Sequence, residues 1–159
     1  LEPSLERIFS RKFTFFLGEN TQILCYLIPG PSGELAEGER LLNWVWYWNV
    51  PEGDGLREVL TDSDGKIHDY SVSQGRVRGD LVERQKAIAG EVLPDAFGRL
   101  VAETDEPFVQ VIHDLSVPRM AFDRACLVGD AAFIPRPHTA ASTAKAVANA
   151  TALAGTELL

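Results

Sequence analysis

Ala125-Cys126-Leu127-Val128-Gly129-Asp130-Ala131-Ala132-Phe133-Ile134-Pro135-Arg136-Pro137-His138 joins an apolar run, a Gly-Asp pair and two closely spaced prolines. Ala125 to Val128 is a short apolar run of the kind that forms a buried strand. Gly129 permits a backbone geometry or a close approach that a Cβ would obstruct. Asp130 follows, where a strand ends and a carboxylate can point outward. Pro135 and Pro137 stiffen the next segment and remove two backbone donors. From about Thr139 an alanine-rich run through Ala154 predicts a helix. The order is therefore strand, Gly-Asp turn, rigid proline loop and helix N-terminus. Free N–H groups and the positive end of the helix dipole suit an anion or the electron-rich edge of a ligand. Small side chains on the first turn would let a flat ligand approach the backbone.

Outward from this stretch, the whole chain of 159 residues is long enough for one sizeable core, or for one domain and a piece of another. Its net charge of −8 and the absence of any basic run speak against nucleic acid and anionic membrane surfaces as partners. No secretory signal and no uninterrupted apolar span are present, since Lys145 breaks the alanine run. Cys25 and Cys126 sit in apolar, strand-like segments and read as two reduced core thiols of a cytoplasmic protein. Two cysteines give no metal-ligand spacing. Asp62-x-Asp64-Gly65 is similar to a calcium loop, but Ser71 stands where the bidentate Glu would be, so no metal is expected.

Taken in order, Leu1 to Ser10 carries a helical turn. Lys12 to Leu17 and Thr21 to Ile28 form a hairpin, ended by Pro29-Gly30-Pro31. Leu41 to Val50 is the strongest strand. Its alternation puts Leu42, Trp44, Trp46, Trp48 and Val50 on one face and Asn43, Val45, Tyr47 and Asn49 on the other. The tryptophan face either covers a core or roofs a pocket. In the second case Asn43, Tyr47 and Asn49 become hydrogen-bonding candidates for a hydroxylated ring. Leu56 to Leu60 predicts a short helix, and His68 reads as a surface residue. Asp80 with Glu83 predicts a capping box for the next helix. Pro94-Asp95 starts another helix, with Phe97, Leu100 and Val101 inward. Phe108 to Ile112 reads as a strand followed by His113.

Gly129-Asp130-Ala131-Ala132, with Pro137 at the right spacing, resembles the second flavin motif of the single-component, FAD-dependent aromatic hydroxylases. Phe133 stands where the family usually has His, Ala140 and Ser142 where many members have Gly, Ala144 for the usual Asn and Asn149 for the usual Asp. Trp46-Tyr47-Trp48-Asn49-Val50 and Arg136-Pro137-His138-Thr139-Ala140-Ala141 are similar to segments of hydroxypyridine-hydroxylating members. The pair is far more specific than Gly-Asp alone. Members also carry a Gly-x-Gly-x-x-Gly motif for the FAD pyrophosphate, which Gly30/Gly33 and Gly53/Gly55 do not make. Leu1 in place of Met and the helical pattern still running at Glu157-Leu158-Leu159 read as the ends of a piece of a longer enzyme, a piece expected to be inactive by itself.

The resemblance implies a substrate-binding sheet domain over 1–118 and a segment of the Rossmann-like FAD-binding domain over 119–159. The expected class is α+β, with a mixed, largely antiparallel sheet of about five strands, helices on one face, and then a strand-helix piece. It implies hydroxylation of an electron-rich aromatic ring with NADH or NADPH and dioxygen, through a flavin C4a-hydroperoxide. By the same resemblance, Asp130 accepts from the ribityl hydroxyls. Gly129, Arg136, Pro137, Thr139, Ala140, Ala141 and Ser142 line the cofactor. His138 and His113 are the acid/base candidates, because imidazole titrates near working pH. Each keeps a plainer alternative: a turn residue for Asp130, a surface residue for Arg136, a loop cap for His138 and a sheet-end residue for His113. A non-catalytic aromatic-ligand-binding module of the same ancestry is the second functional class. Apolar surface left by the C-terminal piece would be covered by a partner, for which a homodimer is one form.

Overall fold

The computed structural model describes residues 3–10, 12–136 and 142–155. The chain divides into two units, Leu1–Gln110 and Val111–Leu159.

In the first unit, helix α1 (Pro3–Phe9) leads into the expected hairpin of β1 (Thr14–Gly18) and β2 (Thr21–Ile28). Asn20 closes the turn at φ 55, a left-handed conformation that Asn tolerates better than most residues. Strand β3 (Leu41–Tyr47) joins antiparallel to β2, giving the order β1-β2-β3. Trp46 lies opposite Ile23 and Trp44 opposite Cys25, and both of these β2 residues are fully buried. That face, with Phe16 and Leu42, packs on Leu5 and Phe9 of α1 and on helices α3 (Gly79–Val92) and α4 (Asp95–Ala102). The helices contribute Ala89, Phe97, Leu100 and Val101, with Leu93 between them. The Phe9 and Phe97 rings meet at 5.2 Å, tilted by 55°. Of the two sequence readings, the tryptophan face takes the core one. Both strand indoles are satisfied inside it: Trp44 Nε1 donates to Thr104 Oγ1 at 3.0 Å and Trp46 Nε1 to Thr21 Oγ1 at 2.8 Å.

Four expectations about secondary structure change in this unit. Strand β3 stops at Tyr47 rather than Val50, because the Asn49 amide turns away to donate to the Asn20 carbonyl at 3.2 Å and Pro51 follows. The main sheet has three strands, not about five. The Phe108–Ile112 run shrinks to β5 (Val109–Gln110), since its partner β4 (Ser71–Val72) is closed off by the turn in which Arg76 N–H donates to the Ser73 carbonyl. No capping box forms at α3: the cap is Arg78, and its guanidinium holds the Asp80 carboxylate, Nε to Oδ1, at 2.9 Å. The predicted short helix is α2 (Asp54–Val59).

His68 is not a free surface residue. Its Nε2 lies 2.9 Å from Oδ2 of Asp62, a carboxylate buried just after α2. Arg76 Nη2 donates to the same oxygen at 3.0 Å, while the backbone N–H groups of Asp64 and Lys66 donate to Oδ1 at 2.9 and 3.0 Å. The loop that resembled a cation site is thus closed around its own aspartate by four protein donors.

In the second unit, β6 (Leu115–Ser116) pairs with β9 (Phe133–Ile134), and β7 (Ala121–Phe122) pairs with β8 (Ala125–Cys126). A 3-10 turn spans Gly129–Ala131, and helix α5 covers Ser142–Gly155. The buried strand expected over Ala125–Val128 is instead the two-residue β8, with one neighbour and both side chains exposed. Cys126 is therefore exposed, and only Cys25 fits the reading of two core thiols. Every strand pairing among the described residues is antiparallel and the helices are segregated from the ladders, so the class is α+β. Among the described residues no helix is long and apolar enough to cross a membrane.

Candidate functional site

Lys145 and Asn149 are four residues apart on α5 and so project from one helix face. That face meets the Gly129–Ala131 turn. Asn149 Oδ1 accepts the Gly129 N–H at 3.0 Å. Gly129 sits at φ 61, where a side chain is strained. A Cβ placed there would lie 3.6 Å from the Ala146 Cβ, an ordinary contact, so backbone conformation rather than crowding requires the glycine. Lys145 Nζ donates to Asp130 Oδ1 at 2.8 Å and to the Phe133 carbonyl, and lies 5.5 Å over the Phe133 ring. The lysine side chain is only 15% exposed and the aspartate 61% exposed. The carboxylate thus faces solvent with Oδ1 engaged, and Oδ2 has no protein partner among the described residues. An acceptor pair on a turn whose backbone N–H is already committed fits the hydroxyls of a polyol chain such as the ribityl chain of FAD.

The other predicted residues of this unit lie nearby in the chain. Arg136 Nε donates to Asp114 Oδ2 at 3.1 Å, joining the end of β9 to the start of β6 in an exposed ion pair. His113 is exposed and directly precedes Asp114. Ser142 opens α5 and is half-buried. Pro137, His138, Thr139, Ala140 and Ala141 lie outside the described residues. The sequence reading missed the part played by Lys145 and the use made of Asn149. Their i, i+4 spacing on a helix that follows a Gly-Asp turn was the available signal.

In the first unit, Asn43 and Tyr47 sit on the sheet face opposite the tryptophans, beside Val45. Their cross-strand partners are Tyr26 and Gln22. The Phe13 ring stacks on Tyr26 at 5.4 Å and 14°, and Phe15 and Leu17 of β1 are exposed on the same face. The Tyr47 phenol is pushed up, first by burial and then by the Tyr26 phenol. The face combines apolar side chains with two amides, Asn43 and Gln22, and two phenols, Tyr26 and Tyr47, which can take a ring by stacking and hold its hydroxyl by hydrogen bonds. Asn49 is the exception, since its amide is engaged with the hairpin turn. The Asp62 carboxylate is held well below the usual carboxylate range, first by His68 and then by Arg76 and the backbone donors, against the opposing effect of burial. No cluster of His, Cys, Asp and Glu among the described residues is arranged to hold a metal ion.

Comparison with known proteins bears on this geometry. The sequence profile described as FAD binding domain-like matches residues 1–114. A 2,6-dihydroxypyridine 3-monooxygenase of Paenarthrobacter nicotinovorans is 42% identical over 151 residues, which is 92% of this chain and 36% of that protein. The structure of 2,6-dihydroxypyridine-3-hydroxylase from Arthrobacter nicotinovorans matches with a TM-score of 0.83 at 37% identity, over 97% of this chain and 38% of that one. The chain spans a little over a third of the length of the relatives it matches.

Proposed function

The chain belongs to the FAD binding domain-like family, and on that premise we propose that it forms part of a flavin-dependent monooxygenase acting on an electron-rich aromatic or hydroxypyridine ring. FAD is the cofactor of the family. The observation that carries the proposal is the open Asp130 carboxylate, clamped by Lys145 at 2.8 Å beside a turn fixed by Asn149, in a chain 42% identical to a dihydroxypyridine monooxygenase. When bound and reduced by NADH or NADPH, FAD supplies the activation of dioxygen.

The chain's own groups divide the remaining work. Asp130 takes ribityl hydroxyls on Oδ2. Gly129, Arg136, Pro137, Thr139, Ala140, Ala141 and Ser142 surround the cofactor, with N–H groups of the α5 side offsetting negative charge on the flavin edge. Residues 1–118 serve as the substrate domain and 119–159 as the flavin-motif segment. The open sheet face binds the ring, with Asn43 and Tyr47 on its hydroxyls and Asn49 at the rim. His138 and His113 are the acid/base candidates of the second unit, suited to taking a hydroxyl proton and so raising electron density at the carbon to be oxygenated. The enzyme works in the cytoplasm, where nicotinamide cofactor is supplied.

The test is addition of 2,6-dihydroxypyridine to the FAD-loaded chain, followed by flavin absorbance and by mass spectrometry of the ring after NADH or NADPH is added in air. A saturable spectral change, and a ring one oxygen heavier, support the reading. Ring binding with no oxygen incorporated fits a piece that is inactive by itself and a non-catalytic aromatic-ligand-binding module alike, and oxygenation of the ring by the whole parent enzyme decides between them. No spectral response to the ring overturns both.

A further inference from the structure

We propose that Lys145 is a positioning residue of the flavin site, fixing the Asp130 carboxylate so that its second oxygen meets the ribityl hydroxyls. The inference rests on the reading above and concerns a residue to which no role has been given. Three observations carry it. The ammonium is largely buried while its carboxylate partner is mostly exposed, at 15% against 61%. An ion pair that merely balanced surface charge would leave both groups in water, where it contributes little. Secondly, Lys145 is committed on several sides: to Asp130 Oδ1, to the Phe133 carbonyl, and over the Phe133 ring. An ammonium has three donors, and two of them are spent here. Thirdly, Asn149, one helical turn on, fixes the Gly129 N–H, so the Gly-Asp turn is held from α5 at two adjacent points. A free aspartate side chain would rotate; this one presents Oδ2 in a defined direction.

The test compares FAD, riboflavin and lumiflavin, which has the ring system without the ribityl chain, on the unmodified chain and on Lys145→Met and Lys145→Arg. Lys145→Met should weaken FAD and riboflavin by about tenfold or more, the range of a lost charge-assisted hydrogen bond. Lumiflavin should change by less than about twofold, and Lys145→Arg should recover part of the loss. In an Asp130→Ala background, Lys145→Met should have no further effect on FAD, because it acts through that carboxylate. Equal losses for all three flavins, or additive losses in the double variant, would make Lys145 a general structural residue and overturn the proposal. Unmodified chain that takes up flavin, with Lys145→Met unchanged, overturns the Lys145 role alone. If the unmodified chain takes up none of the three flavins, the flavin reading itself falls. Should Lys145→Met fail to fold, Lys145→Gln, polar and one atom shorter than Lys, tests the same loss of charge.

Discussion

Gly129→Ala isolates the backbone requirement of the Gly-Asp turn. At φ 61 an L-residue is strained by about 1–2 kcal/mol. The substitution also restricts the unfolded chain, which returns about 0.4–1 kcal/mol. At the middle of both ranges the net cost is about 0.8 kcal/mol, or roughly fourfold in the opening equilibrium of the turn. Crowding adds nothing, since the new Cβ would meet Ala146 at an ordinary 3.6 Å. The Asn149 acceptor stays in place. Gly129→Asn should cost less than Gly129→Ala, because Asn occupies the left-handed region more readily. Tryptophan fluorescence is the wrong probe, since Trp44, Trp46 and Trp48 all lie in the first unit. Native-state hydrogen exchange, read by mass spectrometry on peptides spanning 120–136, reports the turn directly. Faster exchange in Gly129→Ala, with Gly129→Asn intermediate, is the expected result. Exchange unchanged in Gly129→Ala would show that the turn tolerates a side chain at this φ, and exchange faster in Gly129→Asn than in Gly129→Ala would point to crowding instead.

Three further outcomes follow from the first unit and the cysteines. Phe97→Ala removes a 5%-exposed ring packed on Phe9 and should cost about 3–5 kcal/mol in urea denaturation followed by tryptophan fluorescence, whereas Phe15→Ser, at a 57%-exposed position, should stay within about 0.5 kcal/mol. Asp62 has a depressed folded-state pKa, so its contribution to stability is full above the ordinary carboxylate range and is lost as pH falls below about 4. The difference in thermal midpoint between the unmodified chain and Asp62→Asn should therefore shrink on going from pH 5.5 to pH 3, and a pH-independent gap would remove the carboxylate from the account. Burial pushes the Cys25 thiol up to about 12, while Cys126 is exposed, so an aromatic disulfide reagent should modify one thiol in the native chain and none in Cys126→Ser.

The sequence announced the parts whose pattern is local. The alternation of Leu42, Trp44 and Trp46 marks the buried face of β3, and the spacing of Phe97, Leu100 and Val101 marks the inner face of α4. Pairing lengths were not legible, because they are set by the partner strand. Ala125–Val128 looks like a buried strand by composition, yet β7 offers it only two residues. The Asp62 network was hidden for a different reason: its donors come from positions 64, 66, 68 and 76, and only folding converges them on one carboxylate. At the candidate site, Gly129 and Asp130 stood out through their resemblance to the flavin motif. Lys145 looked like an interruption in an alanine helix until the helix face brought it back onto the turn.

Titration of FAD into the 159-residue chain beside Asp130→Ala, followed by flavin absorbance and fluorescence, separates a flavin site built on Asp130 from a turn that takes up no flavin. Saturable binding by the unmodified chain is expected, with at least about tenfold weaker binding by the variant, the loss of a charge-assisted hydrogen bond to the ribityl chain. A flavin spectrum left unchanged by the chain, or Asp130→Ala binding as tightly as the original, would contradict it.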